Sequence, residues 1–284
     1  MRVALVYSRR TWEIDEIERE MQRRGVEILS FRPSDFSLMI DDELRVLPEI
    51  QVDAIYFRGP GKGSWEEITA RMNIFKILNM RIPVVNSPES IERCVDKMEA
   101  TIRLFSAGIP VPETLITEND EISEIFVRRI GRAIKKPLFG SRGEGVRIIE
   151  RGEKGYLQRF LEHGGRDIRT FVIGRKVLGA VYRIKEGSPI TNVARGGRTE
   201  ICELDDELKE LSILSARALG AEICGVDIAE EGGRRYVLEV NSSPSWKGFQ
   251  KATQINVASE IAEYFLKGCP EHKEFMKRRI WGKM

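Results

Sequence analysis

The sequence predicts a fold in two parts, a parallel α/β domain followed by an α+β region. Over the first 96 of 284 residues, short apolar runs alternate with stretches of helical period, which is typical of a doubly wound parallel sheet. After about Thr114, short strands follow one another with tight glycine turns between them, which is typical of antiparallel sheets. Hydrophobic residues make up 42% of the chain, so each part can bury a core of its own.

In the first part, strands and helices alternate along the chain. Four strands are predicted, in the segments RVALVY, VEILSF, AIYFRG and IPVVNSP. Helices are predicted over residues 13–24 and 65–79, the first of them ended by Gly25. A third helical pattern begins after Ser87, which is followed by proline, and ends at Gly108. Two prolines follow, and they indicate a hinge into the second part.

In the second part, strands predominate. They are predicted in AIKKPLF, GVRIIE, IRTFVIG and KVLGAVYRI, with a hairpin turn at Gly174 and Arg175 between the last two. A helix is predicted over residues 205–219, with Gly220 at its end. The segment EICGVDIAEEGGRRYVLEV predicts two antiparallel strands joined at residues 230–233, and the last predicted helix covers residues 257–266.

Composition and charge exclude several classes of protein. The chain has 46 basic and 44 acidic residues, a formal net charge of +2, so no basic surface for nucleic acid is expected. No apolar run approaches the roughly 18 to 20 residues of a membrane span, and the N-terminal run is too short for a signal peptide. Four cysteines without CxxC spacing predict buried, reduced thiols. We therefore predict a cytoplasmic protein without a membrane or nucleic-acid partner, and the charge-rich composition favours heat adaptation.

Three oxygen-bearing side chains are predicted to meet near the end of the last strand. Asp227 lies in GVDI, whereas Glu239 and Asn241 lie two residues apart in LEVN and therefore face the same way. If Asp227 shares that face across the hairpin, the set suits magnesium, which prefers hard oxygen ligands. The alternative is a surface hairpin whose acidic side chains simply face water.

A glycine-rich segment, KKPLFGSRGEGV, lies upstream between two predicted strands. Gly140, Gly143 and Gly145 leave backbone N–H groups open to phosphates. The segment has neither a Walker sequence nor a following helix, so a purely structural glycine hairpin is the alternative. Lys97 and Lys136 are candidates to neutralise phosphate charge, although a lone lysine is commonly just solvated.

Further candidates lie in YRIKEGSPITNVARGG. Arg183 and Arg195 suit bidentate recognition of carboxylates or phosphates, with structural ion pairing as the alternative, and Asn192 lies between them. Neither histidine is a predicted catalyst, because His163 lies in a glycine-rich turn and His272 in a charged tail. The sequence contains no nucleophile elbow and no zinc spacing.

The order of these segments is more specific than any one of them. DK is followed by GIPVPET, KKPLFGSRGEGV, LQRFLEHGGRDIR, NVARGG, GVDI, LEVNSSP and GFQKATQINVA. Over about residues 84–265 this order resembles the ATP-grasp superfamily, and within it the RimK-like ligases that add L-glutamate to a carboxylate. The resemblance implies an N-terminal α/β domain (1–96), a small lid subdomain (97–156) and a C-terminal subdomain with the metal site (157–284), with ATP bound between the last two.

The resemblance also implies the roles of individual residues. Those assigned to ATP are Lys97, Lys136, Gly140, Ser141, Gly143, Gly145, the hinge residues Gln158, Arg159 and Phe160, the ribose ligand Asp167, and Asn192. Magnesium, as two ions with manganese as an alternative, is assigned to Asp227, Glu239 and Asn241. Arg183 and Arg195 would face the acyl phosphate or substrate carboxylates, and Arg58, Ser243 and Gly248 the acceptor. Two positions depart from the family pattern: Arg159 replaces an acidic residue, and Ile190 replaces an arginine.

The implied activity is an ATP-dependent carboxylate–amine ligase that forms an α-linked glutamyl amide through an acyl phosphate. We expect the acceptor to be a small cofactor with a glutamyl or carboxylate tail, tetrahydromethanopterin first and the deazaflavin coenzyme second. The alternatives are a protein C-terminus, a lysine-biosynthesis carrier, or a nucleotide-binding module without turnover. By analogy with the family, we expect a homo-oligomer, either a dimer or a tetramer.

Overall fold

The N-terminal domain contains the predicted parallel sheet. The computed structural model describes residues 1–140, 145–184 and 198–272. The first elements are β1 (Arg2–Val6), α1 (Trp12–Arg23), β2 (Glu27–Phe31), β3 (Ser37–Ile40), β4 (Leu44–Leu47), β5 (Ala54–Phe57), α2 (Trp65–Leu78) and β6 (Val84–Val85). The sheet order is β2-β1-β5-β6, all parallel, which confirms the predicted doubly wound pattern. The hairpin β3–β4 was not predicted, and it forms a separate two-stranded sheet.

The helical pattern that follows is two helices rather than one. α3 (Pro88–Val95) ends at Asp96, whose carboxylate accepts hydrogen bonds from the N–H groups of Met98 and Glu99 and so begins α4 (Lys97–Ser106). The break redirects the chain, so that Leu104 joins the core beneath the C-terminal sheet. The beginning of the predicted lid segment therefore packs with the C-terminal part of the protein.

A small antiparallel sheet forms the lid. Its elements are β7 (Thr114–Thr117), α5 (Asp120–Ile130), β8 (Ala133–Lys136), β9 (Arg147–Ile149) and β10 (Gly155–Arg159), and the strand order is β7-β10-β8-β9. One face of the sheet buries Ala133, Ile149 and Leu157 against Phe126 and Val127 of α5. β10 extends to Arg159, so the predicted division after residue 156 falls within this strand.

The C-terminal sheet has five antiparallel strands. Its region comprises β11 (Arg166–Ile173), β12 (Lys176–Ile184), β13 (Arg198–Cys202), α6 (Asp206–Leu219), β14 (Ile223–Glu231), β15 (Arg234–Asn241), α7 (Lys247–Thr253) and α8 (Val257–Leu266). The order is β13-β12-β11-β14-β15, and the predicted turn at Gly174 is confirmed. α6 has the predicted bounds to within one residue: Asp205 caps its beginning, and Gly220, in the left-handed conformation, follows its end.

The two faces of this sheet have different surroundings. One face packs Ile168, Val172 and Val226 against α6 in an apolar core. On the other face, Phe171 and Ile173 are buried with Trp246, α8 and α1. Toward the beginning of β11, this second face carries polar side chains instead. This polar end is the part of the sheet that faces the lid.

One buried side chain joins the N-terminal domain to the C-terminal sheet. The amide NH₂ of Asn86 donates to the carbonyl oxygens of Ile223 (2.7 Å) and Ser242 (2.6 Å). Its Oδ1 accepts from the backbone N–H groups of Glu222 and Ile223, both at 2.8 Å. The four hydrogen bonds fix the end of β6 against the beginning of β14 and the chain just beyond β15.

Two other expectations concern burial. All four cysteines, Cys94, Cys202, Cys224 and Cys269, are buried as predicted. His272, which the sequence places in the charged tail, is 3% exposed, and its Nδ1 lies 2.8 Å from Glu222, which also accepts from the Tyr264 hydroxyl at 2.5 Å. None of the helices in the described ranges is both long and apolar enough to cross a bilayer.

Candidate active site

The polar end of the C-terminal sheet presents one continuous row of charged side chains. In register, Arg183 of β12 opposes Asp167 of β11, Arg169 of β11 opposes Asp227 of β14, and Asp227 opposes Glu239 of β15. Residues directly opposite each other in an antiparallel pair share a face of the sheet. The predicted meeting of Asp227 with Glu239 on adjacent strands is therefore confirmed.

Asp227 is held by two arginines. The Arg169 guanidinium donates through Nε and one terminal nitrogen, the latter at 2.8 Å, and an Arg183 nitrogen lies 2.8 Å from the same Asp227 oxygen. Burial alone would raise the pKa of Asp227, which is 6% exposed, but the two guanidinium groups hold that pKa below its usual value. The carboxylate is therefore ionised and already engaged in this structure.

Arg183 also holds Asp167. Its Nε and one terminal nitrogen donate to the two Asp167 oxygens at 2.8 and 2.5 Å, and both side chains are buried. Burial would lower the pKa of Arg183, but Asp227 and Asp167 raise it instead, so the guanidinium stays charged. Asp167, predicted to bind ribose, thus has each oxygen engaged by Arg183, and each oxygen keeps a lone pair with which it could accept a ribose hydroxyl.

Glu239 is the carboxylate of the row that remains available. It is half-buried, and it forms no hydrogen bond or ion pair with the part of the chain that the structure describes. Asn241, two residues on, uses its Oδ1 to accept from the backbone N–H of Ser243 at 2.9 Å. Within the described ranges no three His, Cys, Asp or Glu side chains group as a metal site, so the predicted set depends on the Asn241 amide. Its hard oxygen donors fit magnesium, with Asp227 shared with its arginines.

Two lysines approach this row from the lid and from α4. Lys136, on β8, donates to Gln158 Oε1 at 2.6 Å. Burial lowers the pKa of Lys136 to about 8, against the opposing influence of the Glu239 and Asp227 carboxylates, and the positive charge of Lys97 lowers it further. Lys97 donates to the Gly140 carbonyl at 3.0 Å, at the beginning of the glycine segment. The structure therefore places both lysines near the glycine segment and the carboxylates.

The predicted hinge residues lie together at the end of β10. The buried Gln158 amide donates to Thr114 and Tyr156, which orients its oxygen toward Lys136. Arg159 forms an ion pair with Glu231 of β14 at 2.7 Å, so the C-terminal sheet supplies an acidic group beside the position where this chain has arginine. The Arg132 guanidinium carbon lies over the Phe160 ring, 4.7 Å from the ring centre.

The predicted acceptor residues lie where the N-terminal domain meets the segment after β15. Arg58 donates to the Pro244 carbonyl at 3.3 and 3.4 Å, and its guanidinium lies 5.4 Å from the ring centre of Trp246. Ser243 follows Asn241 in a tight turn, and the Gly248 carbonyl accepts from Thr199 at 3.4 Å. Arg58 thus reaches the end of the strand that carries Glu239.

Four predicted site residues, Ser141, Gly143, Asn192 and Arg195, lie outside the described residues, as does Ile190. Gly145 lies within them, with a φ of +72° that favours glycine.

The sequence interpretation missed Arg169 and Gly225. Arg169 lies over Gly225, where an added Cβ would come within 2.8 Å of the arginine Cδ, so a side chain at this position would displace Arg169 from its present place against Asp227. A signal was present: Asp167 and Arg169 are two residues apart in DIR, and Gly225 and Asp227 are two apart in GVD, so each pair shares a face.

Comparisons with known proteins agree on one family. The model of the RimK-like ATP-grasp domain matches residues 94–265. The tetrahydromethanopterin:alpha-L-glutamate ligase of Methanocaldococcus jannaschii is 30% identical, over 93% of this chain and 97% of its own length. The protein of the same name from Methanosarcina acetivorans is 34% identical, over 75% and 79%. A probable alpha-L-glutamate ligase of Vibrio vulnificus is 33% identical, over 69% and 71%.

Solved structures share the fold at lower identity. The ATP-grasp ligase PsnB, complexed with a minimal precursor, superimposes with a TM-score of 0.75 at 20% identity, over 94% of this chain and 98% of PsnB. A RimK domain ATP-grasp protein from Sphaerobacter thermophilus gives 0.66 at 22% identity, over 94% and 100%. The predicted ATP-grasp fold is confirmed.

Proposed function

The chain belongs to the RimK-like ATP-grasp family and is an ATP-dependent ligase, and from this premise we propose that it joins L-glutamate to the carboxylate of tetrahydromethanopterin. Three relatives named for this reaction match 75 to 96% of this chain at 28 to 34% identity, which supports the acceptor. The observation that carries the ligase chemistry is that Asp227 and Glu239 lie near Lys136. The two carboxylates provide oxygen ligands for magnesium, and the lysine ammonium can bind phosphate.

The proposed reaction has two steps. An oxygen of the acceptor carboxylate attacks the γ-phosphorus of ATP, which forms an acyl phosphate and releases ADP. The amino nitrogen of L-glutamate then attacks the acyl carbon, which forms the amide, releases phosphate and frees a proton. Neither step requires a covalent bond to the protein, so the site acts by positioning and by charge neutralisation.

The protein's part in the first step is electrostatic. Lys136 and Lys97 would neutralise ATP phosphates from the lid side, beside the segment that contains Gly140, Ser141, Gly143 and Gly145. Glu239, Asn241 and Asp227 would hold magnesium, as two ions, on the sheet side; manganese is the proposed substitute. Bound magnesium spreads the charge of the transferring phosphoryl group. Asn192 would lie near the same phosphates.

Arg183 is proposed to stabilise charge at the acyl centre. It is buried between Asp167 and Asp227, so its guanidinium is already oriented before substrate arrives. Arg195 would act with it. The hinge residues Gln158, Arg159 and Phe160 would hold adenine, and Asp167 would accept from the ribose while it stays paired with Arg183. Arg58, Ser243 and Gly248 would line the acceptor side.

The domain boundaries, the oligomeric state and the cellular location are also part of the proposal. The boundary after residue 96 is kept, whereas the boundary after residue 156 is moved to the end of β10 at Arg159, because β10 pairs within the lid sheet. A dimer or tetramer is proposed, and sedimentation analysis tests it. A cytoplasmic location is proposed, and cell fractionation tests it.

ADP release measured with L-glutamate and a panel of carboxylate acceptors tests the function. We expect turnover with tetrahydromethanopterin, dependent on both L-glutamate and magnesium, and a product one glutamyl residue heavier by mass spectrometry. Turnover with the deazaflavin coenzyme alone would reassign the acceptor. If none of the acceptors in the panel supports ADP release, or if the rate is unchanged without L-glutamate, the ligase assignment is refuted. Failure of every acceptor would favour a nucleotide-binding module.

A further inference from the structure

A basic pocket lies in the N-terminal domain, apart from the residues assigned above. It has a volume of about 240 Å³, and its polar lining comprises Ser8, Arg32, Ser34, Lys62 and Arg71. Ser8 lies just beyond β1, Arg32 directly follows β2, and Lys62 lies in the loop after β5. The pocket is therefore at the carboxyl edge of three neighbouring parallel strands, where α/β sheets bind ligands.

The pocket has the character of an oxyanion site. Its lining contains three cations and two hydroxyl groups and no carboxylate. Arg32 and Lys62 form no ion pair with the carboxylates of the described ranges. Two carboxylates lie nearby: Asp35 accepts from the backbone N–H of Arg32 at 2.7 Å, and Glu67 accepts from that of Ser64 at 2.7 Å and pairs with Arg71 at 3.6 Å. The positive charges of Arg32 and Lys62 are therefore the ones available to a ligand.

The loop at residues 58–64, which forms one wall of the pocket, is held in place before any ligand binds. Arg71 donates to the carbonyl oxygens of Pro60 and Lys62 at 3.1 and 2.9 Å. Gly61 has a φ of +78°, and an added Cβ there would lie 2.6 Å from the Ser8 Cβ, so the loop approaches β1 closely only because this residue is glycine. Ser64 ends the loop as the cap of α2.

The same loop borders the candidate active site at both ends. At its beginning, Arg58 donates to the Pro244 carbonyl, three residues beyond Asn241. Just past its end, the Trp65 ring contacts that of Phe139, with 6.2 Å between ring centres, and Phe139 precedes Gly140. The loop therefore lies between the pocket and two parts of the candidate site, the chain just beyond β15 and Phe139 before the glycine segment.

We propose that this pocket binds an oxyanion of the acceptor, a phosphate or carboxylate other than the carboxylate that is ligated. The identity of the occupant rests on the proposed function, whereas the anion specificity rests on Arg32, Lys62 and Arg71. Anchoring a remote charged group would orient the acceptor across the loop, with its reacting carboxylate beside Arg58. The pocket would thereby select acceptors that carry a second negative group at the right separation.

Steady-state kinetics of a double variant, Arg32→Gln with Lys62→Gln, test the proposal. The matched control, Arg23→Gln with Arg81→Gln, removes the same charge from the same domain, at residues that precede β2 and β6 and so lie at the opposite edge of the sheet. We expect KM for tetrahydromethanopterin to rise about tenfold or more in the pocket variant, because charge-assisted hydrogen bonds are lost. KM for ATP and for L-glutamate should change by less than about twofold in both variants. An unchanged acceptor KM, or an equal rise in the control, would overturn the proposal, and so would a rise confined to L-glutamate.

Calorimetric titration with inorganic phosphate and with glutarate separates this proposal from the ligase assignment. The native protein should bind at least one of the two probes at a site that the pocket variant lacks, binding at the proposed active site should be the same in both, and the control should match the native protein. Whichever probe binds identifies the oxyanion as phosphate or carboxylate. If the protein has no ligase activity, the proposed function fails while this comparison still decides the anion site. Equal binding by native and pocket variant, or no binding by the native protein, would overturn it.

Discussion

Replacing Asp227 with asparagine removes the negative charge that the buried Arg183 and the half-buried Arg169 share. Arg169 and Arg183 both contact the Asp227 carboxylate, which is 6% exposed, so the variant leaves guanidinium charge buried without its full partner. Breaking a buried ion pair from one side costs about 3 to 5 kcal/mol. Because asparagine keeps one acceptor oxygen and Arg183 keeps Asp167, we expect the lower end, about 3 kcal/mol.

Thermal unfolding without ATP or magnesium measures this loss. A change of about 3 kcal/mol corresponds to a fall in Tm of roughly 6 to 12 °C for a domain of this size. The arginines lower the pKa of Asp227, so its stabilisation is fully present above the usual value and is lost as pH falls through the folded-state pKa. The difference in Tm between native protein and variant should therefore shrink in acid.

Glu239→Gln is the matched variant on the neighbouring strand. Glu239 has no hydrogen bond or ion pair within the described residues and acts on Lys136 only through its charge, so we expect a change within about 0.5 kcal/mol. Both variants should lose magnesium-dependent ADP release. The reasoning is refuted if Asp227→Asn unfolds within about 2 °C of the native protein, or if Glu239→Gln retains native ligase activity.

Three further predictions concern the lid, the domain joint and the sheet. Since burial lowers the pKa of Lys136 to about 8, its ammonium is lost as pH rises through that value, so KM for ATP should increase above about pH 8 in native protein but not in Lys136→Arg. A similar pH profile in both would contradict this. Asn86→Ala leaves four buried backbone groups unpaired and should destabilise the protein by about 4 kcal/mol or more in urea titration; a loss below about 1 kcal/mol would count against the joint. Gly225→Ala should displace Arg169 and cost about 1 to 3 kcal/mol together with ligase activity, whereas native activity and Tm would show that Arg169 has room to move.

Much of the fold was predictable because its signals are local. Strand–helix alternation with glycine and proline punctuation predicted the parallel N-terminal sheet, and the bounds of α8 match the prediction. The break between α3 and α4 was missed although its signal is local too: Asp96 is followed by Glu99 three residues later, which is a cap pattern inside a helical run. The helical period alone outweighed that signal, so the prediction of one helix was wrong.

The candidate site was predictable only in part. That Asp227 and Glu239 lie on adjacent strands follows from the short turn that joins them, but a β-bulge between Asp227 and Ile228 shifts the register by one residue, so that Asp227 opposes Glu239 instead of Leu238. The contact of Arg169 with Asp227 spans 58 residues and depends on which strands become neighbours in the sheet. The order β13-β12-β11-β14-β15 determines this contact, and no local pattern encodes that order.

By itself, the sequence determined the kinds of element, the family and the set of oxygen and nitrogen donors that the chemistry requires, because periodicity, turn residues and motif order are properties of short segments. The tertiary structure decided which charges neutralise one another, which carboxylate stays available, and where a second basic pocket opens. Ion pairs act over a few ångströms, and only folding brings Arg169, Arg183 and Asp227 within that distance. The availability of Glu239 and the charge of the pocket around Lys62 are consequences of that arrangement.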